Sequence, residues 1–219
     1  MLTYNEVMKS ETIKTYIIRA DESLSALGFT EHSFSHVIHV ANMAGYILET
    51  MGFDERTVEL AKIAGYMHDI GNLVNRKDHS QSGAVMAWSI LNDMGCDPGE
   101  IATIVTAIGN HDEGTGVPVN AVAAALILAD KADVRRCRVR NKDIATFDIH
   151  DRVNYSVQSS KLSIDDDKKD VTLALSVDTQ YGSVMDYFEI FMGRMLLCRK
   201  AAETLGLRFR LIINDQQVI

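Results

Sequence analysis

Apolar residues recur along most of this chain at the three-to-four-residue spacing of helices that bury one face. Met8, Ile13, Tyr16, Ile17 and Leu24 place one or two helices in residues 1–30, with Gly28 as the stop. The next helix starts near Ser33 or Ser35 and ends at Gly52. Asp54 is the N-cap of a helix carrying Val58, Leu60, Ala61, Ile63, Ala64 and Met67, which is apolar almost all round at its far end. Gly71 terminates it, and a polar loop with Arg76 and Lys77 follows. Helices are then predicted from His79 to Gly95 and from Asp97-Pro98, an N-cap with proline at the first position, to Gly109. A loop with Gly114, Gly116 and Pro118 leads to Asn120, which caps a very apolar helix running into Ala129-Asp130-Lys131.

Beyond residue 150 the period changes to two. Val153, Tyr155 and Val157 predict one strand and Val171, Leu173, Leu175 and Val177 a second, joined by a solvated connection over Asp165 to Asp170. Ser183 and Asp186 resemble a capping box, opening an amphipathic helix through Val184, Tyr187, Phe188, Phe191, Met195, Cys198 and Ala202. Phe209, Leu211 and Ile213 form a last strand. The fold class is therefore mainly α. A helical body over residues 1–148 is followed by a small β-β-α-β (α+β) extension over residues 149–219. Three strands and one helix make a thin core. The extension is expected to pack on the body, cover a site or, the favoured reading, pair in a homodimer.

Composition narrows the partners. The net charge of −8 argues against general nucleic-acid binding. No apolar run approaches a membrane span, and Met1 to Lys14 lacks the pattern of a secretory signal. Cys96, Cys137 and Cys198 are too far apart for a disulfide framework or zinc ribbon, so a reducing, cytoplasmic setting is expected.

The chemistry sits at helix ends. His68 and Asp69 close a buried helix, where an unpartnered charge is costly. His36, His79, His111 and Asp130 lie at or near other helix ends, so all six can converge on one cavity. Imidazole and carboxylate suit divalent Fe, Mn, Ni, Zn or Mg, which the residue types do not distinguish. Six ligands exceed one tetrahedral site, so two ions are expected, with Asp69 bridging them.

The order His36-Val37-Ile38-His39, His68-Asp69-Ile70-Gly71, His79-Ser80-Gln81-Ser82-Gly83, Asn110-His111-Asp112-Glu113 and Ala129-Asp130-Lys131 resembles the HD-domain superfamily of metal-dependent phosphohydrolases. The matching stretches span roughly residues 30–140. The resemblance implies an HD-type helical bundle in which His36, His68, Asp69 and Asp130 hold one metal. Asp69, His79 and His111 would hold a second, as in dinuclear members such as the bacterial dinucleoside-tetraphosphate hydrolases. One departure stands out: several dinuclear relatives have a His-His pair where this chain has His111-Asp112. The implied reaction is hydrolysis of a phosphate ester or anhydride of a nucleotide or other small phosphorylated molecule by a metal-activated hydroxide. Asp69 and Lys131 are the expected catalytic residues, and Lys131, Arg135 and Arg136 the expected substrate contacts. Glu113 is a candidate acid or base, while His32, His39 and His150 are expected in outer or surface positions. Two other readings use the same scaffold: a mixed-valence di-iron oxygenase and a non-catalytic nucleotide-binding regulatory module.

Overall fold

The helix Ala121–Lys131 (α7) is the axis of the molecule, with Val122 to Ala129 all buried. Its four buried alanines let neighbouring helices come close, and Asn120 caps it by accepting from the Ala123 amide. The protein is described here over residues 1–219 by a computed structural model. Preceding α7 are Tyr4–Lys9 (α1), Glu11–Ala26 (α2), Phe34–Met51 (α3), Glu55–Met67 (α4), His79–Asp93 (α5) and Pro98–Gly109 (α6). After it come Ile149–Ser156 (α8), strands Val157–Ile164 (β1) and Asp170–Val177 (β2), the long helix Val184–Thr204 (α9), and strands Arg208–Ile213 (β3) and Gln216–Gln217 (β4). Helices α3, α4, α6 and α9 pack on α7. No helix is long and apolar enough to cross a membrane.

The expected start signals form as caps. Asp54 accepts from the Thr57 amide, Asp97 from the Gly99 and Glu100 amides, and Ser183 with Asp186 closes a reciprocal capping box. Gly52 ends α3 in the left-handed conformation at φ 85°.

The C-terminal region differs from expectation at its start. Val153 and Tyr155 belong to helix α8, capped by Asp148, rather than to a strand. Alternation over so few residues fits a helical turn equally well, and the Asp148 cap selects the helix. The first strand is instead the polar segment Val157–Ile164. The sheet order is β1-β2-β3-β4, with β1/β2 and β3/β4 antiparallel and β2/β3 parallel through the α9 crossover. One buried cluster of 54 residues runs from Tyr4 to Ile213, so sheet and helical body share a core. Tyr187, Phe191, Met195 and Cys198 put the apolar stripe of α9 into that core.

Candidate metal centre

The four histidines are oriented by one local device and one long-range one. His68, at the end of α4, donates Nδ1–H to the Gly65 carbonyl at 2.7 Å. His111, just past α6, does the same to Ile108 at 2.6 Å, and His79, opening α5, to Arg76 at 3.0 Å. Each acceptor lies three residues back, and for α4 and α6 it is a carbonyl of the last helical turn. A carbonyl can only accept, so Nδ1 carries a proton and Nε2 is left as the atom that can ligate. His36 reaches the same state differently: its Nδ1 lies 2.7 Å from Asp133 Oδ2.

All four Nε2 atoms point inward. Those of His36 and His68 are 3.3 Å apart, and those of His79 and His111 are 3.2 Å apart. Asp69 stands between the two pairs. Its Oδ2 is 3.5 Å from His36 Nε2 and 3.2 Å from His68 Nε2. Its Oδ1 is 3.5 Å from His79 Nε2 and 3.9 Å from His111 Nε2. Asp130 Oδ1 closes the first group at 3.4 Å from His36 Nε2 and 3.6 Å from His68 Nε2. Donor atoms of His36, His68 and Asp130 lie within 4.8 Å of one another, as do those of His68, Asp69 and His111. The structure thus brings all six expected residues together.

This donor set fits divalent cations. Imidazole nitrogens facing one another at 3.2–3.3 Å call for a cation or a shared proton between them. Burial lowers the pKa of His68, but the adjacent Asp69 and Asp130 carboxylates override it and raise it to about 10. Burial likewise raises both carboxyls. His68 and His36 beside Asp69, and Lys131 with the same histidines beside Asp130, hold them well below the usual range. His79 and His111 are instead lowered, by burial first. Two ionised carboxylates beside four imidazoles form a hard, oxygen- and nitrogen-rich cage for a cation.

Above the cage is a cavity of about 390 Å³. Asp69, His79, His111 and Asp130 line it, while His36 and His68 are fully buried behind them. Only three of its lining residues, Leu27, Phe29 and Phe191, are apolar. Lys131 also lines it, but its ammonium is held 2.8 Å from Asp130 Oδ2 and 2.7 Å from Glu113 Oε2. Arg135 and Arg136 do not reach the cavity. Arg135 is drawn back by Asp133, and Arg136 lies over the Tyr155 and Tyr181 rings. Asp112 is half-buried, outside the cavity lining and outside both donor groups. His32 lines the wall, with its ring 5.4 Å from that of His36, and His150 stands exposed at the rim.

Asp133, Arg76 and Arg194 are site residues that the linear pattern does not single out, whereas Arg138 belongs to the arginine cluster that follows Asp130 in the sequence. Asp133 had a weak signal, as an acid one helical turn beyond Asp130; Arg194 had none, because it lies on a distant helix. Asp133→Asn is expected to weaken metal binding about 10- to 100-fold, because partners of ligating histidines are worth that much. Competition with a chromogenic chelator checks this, and unchanged metal affinity would show that His36 needs no carboxylate.

Glu113 stays ionised. Burial raises its pKa, but Lys131 and Arg194 pull it far below the ordinary carboxylate range. A group whose folded pKa is depressed adds stability above its unfolded value of about 4 and loses it as pH falls toward the folded one. The urea midpoint of wild type is therefore expected to fall between pH 5 and pH 3 more steeply than that of Glu113→Gln.

A buried His/Asp cage at helix ends beneath a polar cavity is a set of residues that could hold divalent metal in a mainly helical protein. The HD domain family model matches residues 33–145, just over half the chain. The chain belongs to the HD domain family. An uncharacterised protein of Methanocaldococcus jannaschii is 24% identical over 191 residues, covering 76% of this chain and 73% of that protein. Ribonuclease Y 1 of Pediococcus pentosaceus is 33% identical over 104 residues, 46% of this chain but only 18% of that protein. A crystal structure of a predicted HD superfamily hydrolase from an uncultured Thermotogales bacterium aligns with TM-score 0.45 and 26% identity, covering 57% of this chain and 67% of that one.

Proposed function

We propose that this chain hydrolyses a phosphate ester or anhydride of a small phosphorylated molecule, such as a nucleotide, with two divalent ions. The observation that carries this is Asp69, whose two oxygens each face one pair of inward-pointing imidazoles. His36, His68, Asp69 and Asp130 would hold the first ion, and Asp69, His79 and His111 the second. Bound there, such ions lower the pKa of water and polarise phosphoryl oxygens.

The chain's own groups do the rest. Each Nδ1 hydrogen bond fixes an imidazole tautomer, so the ligand lone pairs are set in advance. Lys131 holds the outer oxygen of Asp130 and leaves the inner one to the cage. Glu113 is kept ionised by Lys131 and Arg194, a state that does not donate a proton to a leaving group. Arg76, on the cavity wall, has Nη1 4.0 Å from Asp69 Oδ1 and supplies positive charge for a phosphate entering there.

Similarity to ribonuclease Y over part of the chain raises RNA as a second substrate class. The net charge of −8 and a cavity of about 390 Å³ favour a small ester. The test is a panel of nucleotides, dinucleoside polyphosphates, simple aryl phosphates and short RNA, with added Mn²⁺, Mg²⁺, Ni²⁺ or Fe²⁺. Release of phosphate or nucleotide that stops with chelator supports the proposal. A protein that binds two irons, consumes oxygen with an organic substrate and cleaves nothing on the panel refutes it in favour of the oxygenase reading.

A further inference from the structure

Arg194 enters the cavity from α9, well beyond residues 33–145 that the family model matches. Its Nε donates to Glu113 Oε1 at 3.0 Å. Its guanidinium carbon lies 4.4 Å from the centre of the Phe191 ring, one turn earlier on the same helix. These contacts fix the plane of the group. Neither Nη nitrogen has an acceptor within the protein, and the side chain keeps 25% exposure.

The other arginines nearby are more fully committed. Arg138 donates to the Glu31 and Asp133 carbonyls, Arg140 to Asp21 and Phe29, and Arg135 to Asp133. Arg76 directs its Nη1 toward Asn72 and His79. Arg194 therefore offers an unspent, pre-oriented fork of donors facing the same space as Asp69, His79 and Asp130. Its position is rigid, because Tyr187, Phe191, Met195 and Cys198 anchor α9 in the shared core. An alternating chain, Asp130–Lys131–Glu113–Arg194, ties that anchor to the cage.

We propose that Arg194 seats the phosphate group of the substrate, so that the C-terminal extension completes the substrate site of the helical body. This rests on the phosphohydrolase reading for the identity of the anion. A planar guanidinium with two free Nη groups matches two phosphate oxygens at once, which a lysine ammonium cannot do.

The test uses the full chain loaded with Mn²⁺ and inorganic phosphate as the probe, followed by calorimetry, with bound metal counted in parallel. Arg194→Gln is expected to raise the phosphate Kd at least tenfold with metal content unchanged. Glu113→Gln is expected to lower that Kd, because it removes a carboxylate that competes for the same guanidinium. Where an ester is turned over, Arg194→Gln should raise KM by a larger factor than it lowers kcat. The proposal is overturned if wild type binds no phosphate, or if Arg194→Gln leaves the Kd unchanged or loses metal together with phosphate. It is also overturned if Glu113→Gln weakens phosphate binding as Arg194→Gln does, since the arginine would then act only through the glutamate. Wild type that binds phosphate through Arg194 but cleaves no ester leaves this seat standing and refutes the phosphohydrolase reading instead.

Discussion

Asp69→Ala is expected to strip both ions from the protein and to abolish hydrolysis. Asp69 is the one residue whose two oxygens face different imidazole pairs, Oδ2 toward His36 and His68 and Oδ1 toward His79 and His111. Partners one step removed from a metal are worth about 10- to 100-fold in affinity. A carboxylate touching both positions is worth more than that at each. The fold should survive, because the substitution shortens a side chain at the edge of a polar cavity. His79→Ala supplies the contrast, since it faces only one position and should cost one ion of the two. Metal content after dialysis, measured beside the steady-state rate, separates these outcomes. An Asp69→Ala protein that keeps two ions, or that still hydrolyses substrate, would refute the bridging role.

The largest effect on folding is expected from Gly71→Ala. A Cβ built on Gly71 would lie 1.9 Å from the His79 carbonyl oxygen, 2.4 Å from the Gly83 amide nitrogen and 2.7 Å from Ser82 Oγ. Two of these are backbone atoms of α5, so no rotamer change relieves the clash. The start of α5 must move away, and it carries His79. Overpacking of this kind costs about 3 kcal/mol or more. At about 2–4 °C per kcal/mol for a chain of this size, Tm should fall by at least about 6–12 °C. Loss of His79 geometry should lower affinity at the second position as well. Gly109→Ala is the control: its nearest neighbour, Ala84 Cβ, is at 3.6 Å, an ordinary contact. Its Tm should stay near wild type. Equal melting temperatures for the two variants would show that α5 yields more easily than its packing indicates.

Gly71 also shows why the four-residue run His68-Asp69-Ile70-Gly71 works as a unit. His68 ends α4 and takes up a last-turn carbonyl, and Asp69 follows as the helix breaks. Ile70 is buried, and Gly71 lets α5 approach closely enough to bring His79 to Asp69. Most helix boundaries, the capping residues and the six converging His and Asp residues were readable from the linear chain, because each depends on local periodicity or on residues at helix ends. Three of the four histidine tautomers are also local, set by a carbonyl three residues back.

What the chain did not disclose depends on contacts between distant segments. Tyr155 and Val153 alternate with polar neighbours, and only the Asp148 cap and the packing around it decide for helix over strand. Arg135 and Arg136 follow Asp130 closely, yet Asp133 and a pair of tyrosines turn them away from the cavity. Asp133 reaches His36 across 97 residues, and Arg194 reaches Glu113 across 81. By itself the sequence determined the helical body and the six His and Asp residues that converge on one cage. Only the tertiary structure decided which charges face the cavity and that the C-terminal helix forms part of its wall. The reason is physical: caps and periodicity act within a few residues, whereas the direction of a long charged side chain is set by whichever partner the fold brings within reach.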